Sequence, residues 1–160
     1  MECLLISGSE SVGKSEAIYR LANRFLSAGF DIEKGNIPEI FQDFRVVIKG
    51  NNNRNKKIRI IINSATDTEL IIRDFKKFFD DNGDYNILIS SIRDDNFWPR
   101  AQFFTIMEMS TPKDFILEIP LAKITRKEDN RLLALNWYQT QIDILLNHIL
   151  NNNPFDILIQ

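Results

Sequence analysis

The chain has 160 residues, of which 44% are hydrophobic and 26% are charged, so it fits one globular domain over 1–160 and not a disordered or fibrous chain. Its formal net charge of −2 argues against nucleic acid as the main partner. Cys3 is the only cysteine and His148 the only histidine, which excludes an internal disulfide bond and argues against a Cys/His zinc site.

The first half of the chain predicts a strand, a helix and a hairpin. The short apolar run before Gly8 is typical of a buried parallel strand. Apolar residues then recur at helical spacing as far as Gly29, where a helix is expected to end. Two runs rich in β-branched residues flank a polar turn, as in a hairpin. The predicted elements are therefore a strand over 3–7, a helix over 14–28, an irregular segment over 30–42, and antiparallel strands over 44–49 and 58–63.

The second half alternates helices and strands. Asp67 is expected to start a helix as its N-cap, with Thr66 as the competing cap. The predicted elements are a helix from 67 to about 83, a strand over 85–90, a polar loop over 90–96, a helix over 97–108, a strand over 114–119, a helix over 128–150 and a short edge strand over 155–159. This rhythm predicts an α/β fold with a mostly parallel central sheet flanked by helices, to which the hairpin adds one antiparallel strand.

The segment between the first strand and the first helix carries a phosphate-binding pattern. It matches G-x-x-x-x-G-K-[ST] over Gly8, Ser9, Glu10, Ser11, Val12, Gly13, Lys14 and Ser15. Backbone N–H groups of such a loop converge on phosphate oxygens at a helix N-terminus, and glycine allows the close approach. Lys14 would reach the β- and γ-phosphates, and the Ser15 hydroxyl would bind Mg²⁺. The competing interpretation is a glycine-rich turn that only caps a helix.

Residues 3–28 resemble the opening strand, Walker A loop and first helix of the P-loop NTPase superfamily. The resemblance implies a three-layer α/β fold, binding of a nucleoside triphosphate with Mg²⁺, and phosphoryl transfer or hydrolysis. It does not reach a subfamily. The chain lacks the aspartate-glycine and Asn-Lys-x-Asp motifs of GTPases, so ATP is the default nucleotide and another nucleoside triphosphate stays open.

The metal site departs from the superfamily pattern. An acidic residue normally ends the central strand, but here Asn63 stands in that position. Asn63 would bind a metal-bound water as a neutral acceptor, and Asp67 or Glu69 would supply charge from the following loop. The metal ligands predicted from the sequence are therefore Ser15, Asn63 and Asp67, with a helix cap as the alternative role of Asp67.

Arg93 is the second predicted catalytic residue beside Lys14, because it follows a predicted parallel strand and ligands gather beyond the carboxyl ends of such strands. Its competing interpretation is a solvated arginine paired with Asp94 or Asp95. Arg100 has the same ambiguity with less positional support. Several other residues are expected to play structural or solvated roles, namely Glu10 as a solvated carboxylate and Trp98, Trp137 and Tyr138 as core aromatics rather than base-stacking groups.

Two functions follow from these residues. The first is an enzyme, a small P-loop phosphohydrolase or a kinase acting on a small acceptor that the sequence does not identify. The second is a nucleotide-binding switch or interaction module with little or no turnover and a protein partner. No window approaches the ~18 uncharged apolar residues of a membrane helix, and the N-terminus lacks a basic signal-peptide region, so we expect no membrane and a cytoplasmic protein.

Overall fold

The computed structural model describes residues 1–94, 97–111, 113–124 and 128–159, with the backbone alone for 128–131. Within these residues the protein is an α/β domain of six strands and four helices. The strands are β1 (Glu2–Ser7), β2 (Asp31–Gly35), β3 (Arg45–Asn51), β4 (Lys57–Asn63), β5 (Ile87–Ile92) and β6 (Phe115–Pro120). The helices are α1 (Lys14–Ser27), α2 (Glu69–Asp81), α3 (Pro99–Ile106) and α4 (Glu128–Leu150).

The strands form one mixed sheet in the order β2-β3-β4-β5-β1-β6. Strand β1 pairs in parallel with β5 and β6, and β5 pairs in parallel with β4. Strand β3 is antiparallel to both of its neighbours. Ser7 is in register with Ile92, and Asn63 with Ser90, so the carboxyl ends of β1, β5 and β4 lie side by side at one edge of the sheet.

Apolar side chains cover both faces of this sheet. On β1, Leu4 and Ile6 belong to the core under α1 and α4, whereas Cys3 and Leu5 belong to the core under α2 and α3. Because successive residues of a strand point to opposite faces, a wholly apolar run is what a strand covered on both sides requires. Each fully buried side chain of this kind contributes about 1.5–3 kcal/mol relative to an exposed one.

The start of α2 differs from the prediction. Helix α2 begins at Glu69, and its N-cap is Thr68, whose hydroxyl accepts a hydrogen bond from the backbone N–H of Ile71 at 3.3 Å. Thr66 instead donates its hydroxyl to the Ser91 carbonyl at 3.2 Å. The prediction that Asp67 or Thr66 caps this helix is therefore wrong, and the Asp67 carboxylate is available for another contact.

Two further segments differ from their predicted structure. The segment predicted as irregular contains β2, whose residues are mostly exposed at the sheet edge and so show no buried alternation. The predicted edge strand over 155–159 is wrong, although Phe155, Ile157 and Ile159 are buried. Its backbone closes the end of α4 instead, because the N–H of Ile157 donates to the Leu150 carbonyl at 2.8 Å.

The long helix α4 has the predicted bounds. The three aromatic residues that the sequence predicts to be core side chains differ in burial. Trp137 is 65% exposed and Trp98, just before α3, is 52% exposed, so the interpretation of both as core side chains is wrong. Tyr138 is half-buried, and its hydroxyl accepts a hydrogen bond from the backbone N–H of Ala122 at 2.7 Å.

Among the described residues, no helix has an apolar stretch long enough to cross a membrane.

Candidate functional site

The loop between β1 and α1 adopts backbone angles that ordinary side chains disfavour. The φ angles of Gly8, Ser11 and Gly13 are 139°, 60° and 90°. A Cβ atom on Gly8 would lie 2.9 Å from Val12 Cγ2 and 3.1 Å from the Leu121 carbonyl oxygen, so the loop is packed against the segment after β6. Left-handed Gly13 is followed directly by the first residue of α1, an arrangement that turns successive N–H groups into one concavity.

Lys14 is a buried cation at this loop. Its side chain folds back so that Nζ donates to the carbonyl oxygens of Gly8 and Ser9, both at 2.7 Å. Among the described residues no carboxylate lies within ion-pair distance of Nζ. Burial lowers the pKa of Lys14, and the positive charge of Arg93 lowers it further. An ammonium group in this state gains more from an anion than a solvated lysine does.

Arg93 lies directly after β5 and is 9% exposed. Its Nη1 donates to Asp67 Oδ1 at 2.9 Å, and its guanidinium carbon is 4.5 Å from the centroid of the Phe97 ring. Its Nε is buried and has no hydrogen-bond partner among the described residues. The interpretation of Arg93 as a solvated arginine paired with Asp94 is therefore wrong, and the other suggested partner, Asp95, lies outside the described residues.

The predicted metal ligands end up in different environments. The Ser15 hydroxyl donates to the Ser64 carbonyl at 2.7 Å, which ties the start of α1 to the end of β4. Asn63 is buried, and its Nδ2 donates to the Ala65 carbonyl at 2.8 Å and to Ser90 Oγ at 3.2 Å. Asp67 is held in the ion pair with Arg93 described above. The described residues contain no cluster of three or more His, Cys, Asp or Glu side chains that would hold a metal ion.

A cavity of about 290 Å³ brings most of these groups together. The cations among its described lining residues are Lys14 and Arg93, and both are more than nine-tenths buried. It is lined by Glu10, Ser11, Gly13, Lys14, Ser15, Glu16, Phe41, Asp67, Ser91 and Arg93. The structure thus places the loop, Arg93 and Asp67 around one space, while Asn63 lies beside it without lining it.

A second cavity, of about 390 Å³, adjoins the first at the glycine loop. It shares Ser11, Gly13 and Glu16 with the first cavity, and its remaining walls come from α1, the segment after β6 and α4. Those walls are formed by Ala17, Arg20, Leu121, Ala122, Lys123, Ile124, Leu135, Tyr138, Gln139 and Ile142, and the loop residue Val12 also lines the cavity. The glycine loop is therefore the floor shared by two adjoining spaces.

The segment after β5 is also tied to the glycine loop. Ser9 donates its hydroxyl to Asp94 Oδ2 at 2.7 Å, and this hydrogen bond lowers the pKa of the Asp94 carboxyl. Arg100, the weaker of the two predicted arginines, forms a double hydrogen bond with Glu118 at 2.7 and 2.6 Å. Its guanidinium is thus engaged at β6, whereas Arg93 faces the first cavity.

Sequence reasoning missed several residues of the site. Phe41 lines the first cavity, but it comes from a segment with no periodic pattern, and no motif marks it. Ser91 lies within β5, two residues before Arg93, so its place on the same strand end was the one available signal. Comparison of the chain with protein-family models, with curated proteins and with solved structures finds no match.

Proposed function

We propose that this protein binds ATP with Mg²⁺ in the first cavity and transfers the γ-phosphoryl group to water or to a small acceptor. The observation that carries the proposal is the joint burial of Lys14 and Arg93 in one cavity, whose floor is a glycine loop opening a 14-residue helix. Backbone N–H groups and the positive end of a helix favour a phosphate at that position. A two-cation pocket suits a group with several negative charges.

The carboxylates that line the cavity are more exposed to water than Lys14 and Arg93 are. The side chains of Asp67 and Glu16 are 51% and 43% exposed, so water screens them. Glu10 is exposed as well. Charges act more strongly in a buried, low-dielectric place than at a solvated one, so we expect Lys14 and Arg93 to attract an anion more strongly than the solvated carboxylates repel it.

The second cavity suits the nucleoside part of the ligand. Its walls include the apolar side chains of Leu121, Ile124 and Leu135 and the ring of Tyr138, which favour a flat base. The shared loop residues let one ligand extend from the second cavity into the first. Among the described residues that line it, the only carboxylate is that of Glu16, which lies 3.7 Å from Arg20. The chain also has no guanine-reading motif, so ATP is preferred to GTP in this proposal.

The residues present fit a magnesium ion bound with the nucleotide. Ser15, Asn63 and Asp67 offer hydroxyl, amide and carboxylate oxygens, which are the hard donors that Mg²⁺ takes. When bound, Mg²⁺ would neutralise charge on the β- and γ-phosphates. The α/β sheet with helices on both faces, and with the glycine loop after β1, supports the three-layer P-loop fold as part of the same proposal. Since ATP and Mg²⁺ are cytoplasmic ligands, we place the protein there.

In this reaction the protein would act by positioning and by stabilising charge. Lys14 would hold the β- and γ-phosphates, and Arg93 would stabilise charge on the transferring group. One observation favours the alternative, a nucleotide-binding switch with little turnover. The Asp67 carboxylate is already paired with Arg93, and Asn63 is neutral, so neither is a free general base.

The test is a calorimetric titration with ATP, ADP, AMP and GTP in Mg²⁺, followed by measurement of ADP formation with and without candidate acceptors. We expect ATP to bind most tightly and AMP least, because each added phosphate meets Lys14 or Arg93. ADP formation above that of Lys14→Ala supports the enzyme. Tight binding with no ADP formation in excess of that variant supports the switch. Absence of binding for every nucleotide at millimolar concentration would refute both.

A further inference from the structure

We propose that Asp43 supplies a further carboxylate to the metal site, because Asn63 is neutral and the carboxylate of Asp67 is already paired with Arg93. This inference rests on the proposed function, because the metal would bind together with the triphosphate. Mg²⁺ sites of this kind use one or two carboxylates beside the substrate phosphates and several waters. A site made of Ser15 and Asn63 alone would offer no negative charge from the protein.

Asp43 is connected to the predicted metal ligand Ser15 through one residue. The Ser15 hydroxyl donates to the carbonyl oxygen of Ser64 at 2.7 Å. The hydroxyl of the same Ser64 donates to Asp43 Oδ1 at 3.3 Å. The side chains of Asp43 and Ser15 thus meet the same residue, at the edge of the sheet where the carboxyl ends of β4, β5 and β1 lie.

The position of Asp43 is fixed by its neighbour. The backbone N–H of Phe44 donates to Ser64 Oγ at 2.8 Å, and the backbone N–H of Ser64 donates to the Phe44 carbonyl at 3.0 Å. Phe44 is buried, so this pairing is anchored in the core just before β3 begins. Asp43 itself is exposed, which leaves its second carboxylate oxygen accessible to a hydrated ion.

Of the other nearby carboxylates in the described part of the chain, Glu10 and Glu16 line the first cavity, but no hydrogen bond connects either of them to Ser64, and Glu16 lies 3.7 Å from Arg20. Asp67 receives a hydrogen bond from Arg93, and Glu69 receives one from Arg73 at 2.7 Å on the exposed face of α2. Among the described residues no cation lies within ion-pair distance of Asp43. Asp43 is therefore a carboxylate whose charge is not already neutralised by the protein.

The experiment compares the dissociation constant of ATP in EDTA with that in saturating Mg²⁺, for wild type, Asp43→Asn, Asp67→Asn and Asp74→Asn. Asp74 is an exposed aspartate on α2 and serves as the matched loss of charge. Mg²⁺ tightens ATP binding by a factor that equals the effect of ATP on Mg²⁺ binding. We expect Asp43→Asn to reduce this factor about tenfold or more, as loss of a metal-site group does, while Asp74→Asn leaves it unchanged.

Asp43→Asn is also expected to bind ATP in EDTA at least as tightly as wild type, since a negative charge near the phosphates is lost. Asp43→Glu should restore the Mg²⁺ effect, which separates a metal role from a folding role. A wild-type Mg²⁺ effect in Asp43→Asn would overturn this inference and leave ATP binding standing. If wild type binds no ATP even in Mg²⁺, the proposed function itself fails, and this inference fails with it.

Discussion

Replacing Arg93 with methionine tests the charge of the phosphate pocket. Methionine keeps the length and much of the contact with Phe97, where the guanidinium carbon now lies 4.5 Å from the ring centroid, but removes the charge. A hydrogen bond to a charged partner contributes about 1.5–3 kcal/mol. Since 1.4 kcal/mol is a factor of ten, we expect the dissociation constant of ATP in Mg²⁺ to rise roughly tenfold to a hundredfold. The loss should be larger for ATP than for ADP.

Part of this loss of ATP affinity would come from Asp67, which loses its partner once Arg93 is replaced. Asp67 now accepts from Arg93 at 2.9 Å, and in Arg93→Met its free carboxylate would repel the phosphates by about 1 kcal/mol, because it is half-exposed and screened. The double variant Arg93→Met/Asp67→Asn removes that repulsion and isolates the contribution of the guanidinium. Arg73→Met is the control, since Arg73 pairs with Glu69 on the exposed face of α2.

The assay is a calorimetric titration with ATP and ADP at fixed salt, with the unfolding midpoint of each variant measured beside it. If Arg93→Met keeps its fold and binds ATP within twofold of wild type, Arg93 does not contact the phosphates. Of the two buried cations, only Lys14 would then support the assignment of the first cavity as the triphosphate site. We expect the control variant Arg73→Met to bind ATP within twofold of wild type, because Arg73 lies outside the cavity.

Four further substitutions test the loop and the core. Gly8→Ala should lower both stability and ATP affinity, measured by thermal unfolding and titration, because its Cβ would lie 3.1 Å from the Leu121 carbonyl oxygen; unchanged values would contradict this packing. Ser11 and Gly13 both have positive φ, which glycine tolerates better than other residues. Ser11→Gly should therefore stabilise the fold and Gly13→Ala should destabilise it, each by roughly 1 kcal/mol in the free energy of unfolding measured by chemical denaturation. Changes of the opposite sign would refute these backbone angles. Burial, with a smaller effect of Asp114, raises the pKa of Cys3 from 9.0 to about 12, so the thiol should resist alkylation until the protein unfolds. Because the folded pKa lies above the unfolded one, the stabilisation is full below pH 9.0 and falls between pH 9.0 and about 12. The advantage of wild type over Cys3→Ala should shrink in that interval, and a constant difference would contradict the raised pKa.

Part of the site could be predicted because strand ends are visible in the sequence. The apolar runs that became β1 and β5 are buried on both faces, and such runs end where the sheet ends. Gly8 and Arg93 follow those ends, so parallel pairing alone brings them to one edge. The glycine loop needed only its local pattern, since its chemistry depends on consecutive backbone groups.

The remainder depended on contacts that sequence spacing does not encode. Aspartate is a residue type that favours helix N-caps, but Thr68 and not Asp67 caps helix α2. Asp67 instead pairs with Arg93, which lies 26 positions away along the chain. Phe41, which lines the first cavity, and Asp43 come from a segment without periodicity, and the pairing of Phe44 with Ser64 holds this segment beside the end of β4. Strand β2 escaped prediction for a related reason: an exposed edge strand has no buried face to set an alternating pattern.

The most direct test of the central claim is thermal unfolding of wild type and Lys14→Ala with ATP or GTP, each with and without Mg²⁺. A ligand that binds only the folded protein at a hundredfold excess over its dissociation constant stabilises it by about 2.7 kcal/mol. In a domain of this size the midpoint should rise by roughly 5–10 °C. We predict that rise for wild type with ATP and Mg²⁺, and its loss in Lys14→Ala. An unchanged wild-type midpoint with every nucleotide at millimolar concentration would contradict the assignment of the glycine loop as a triphosphate site.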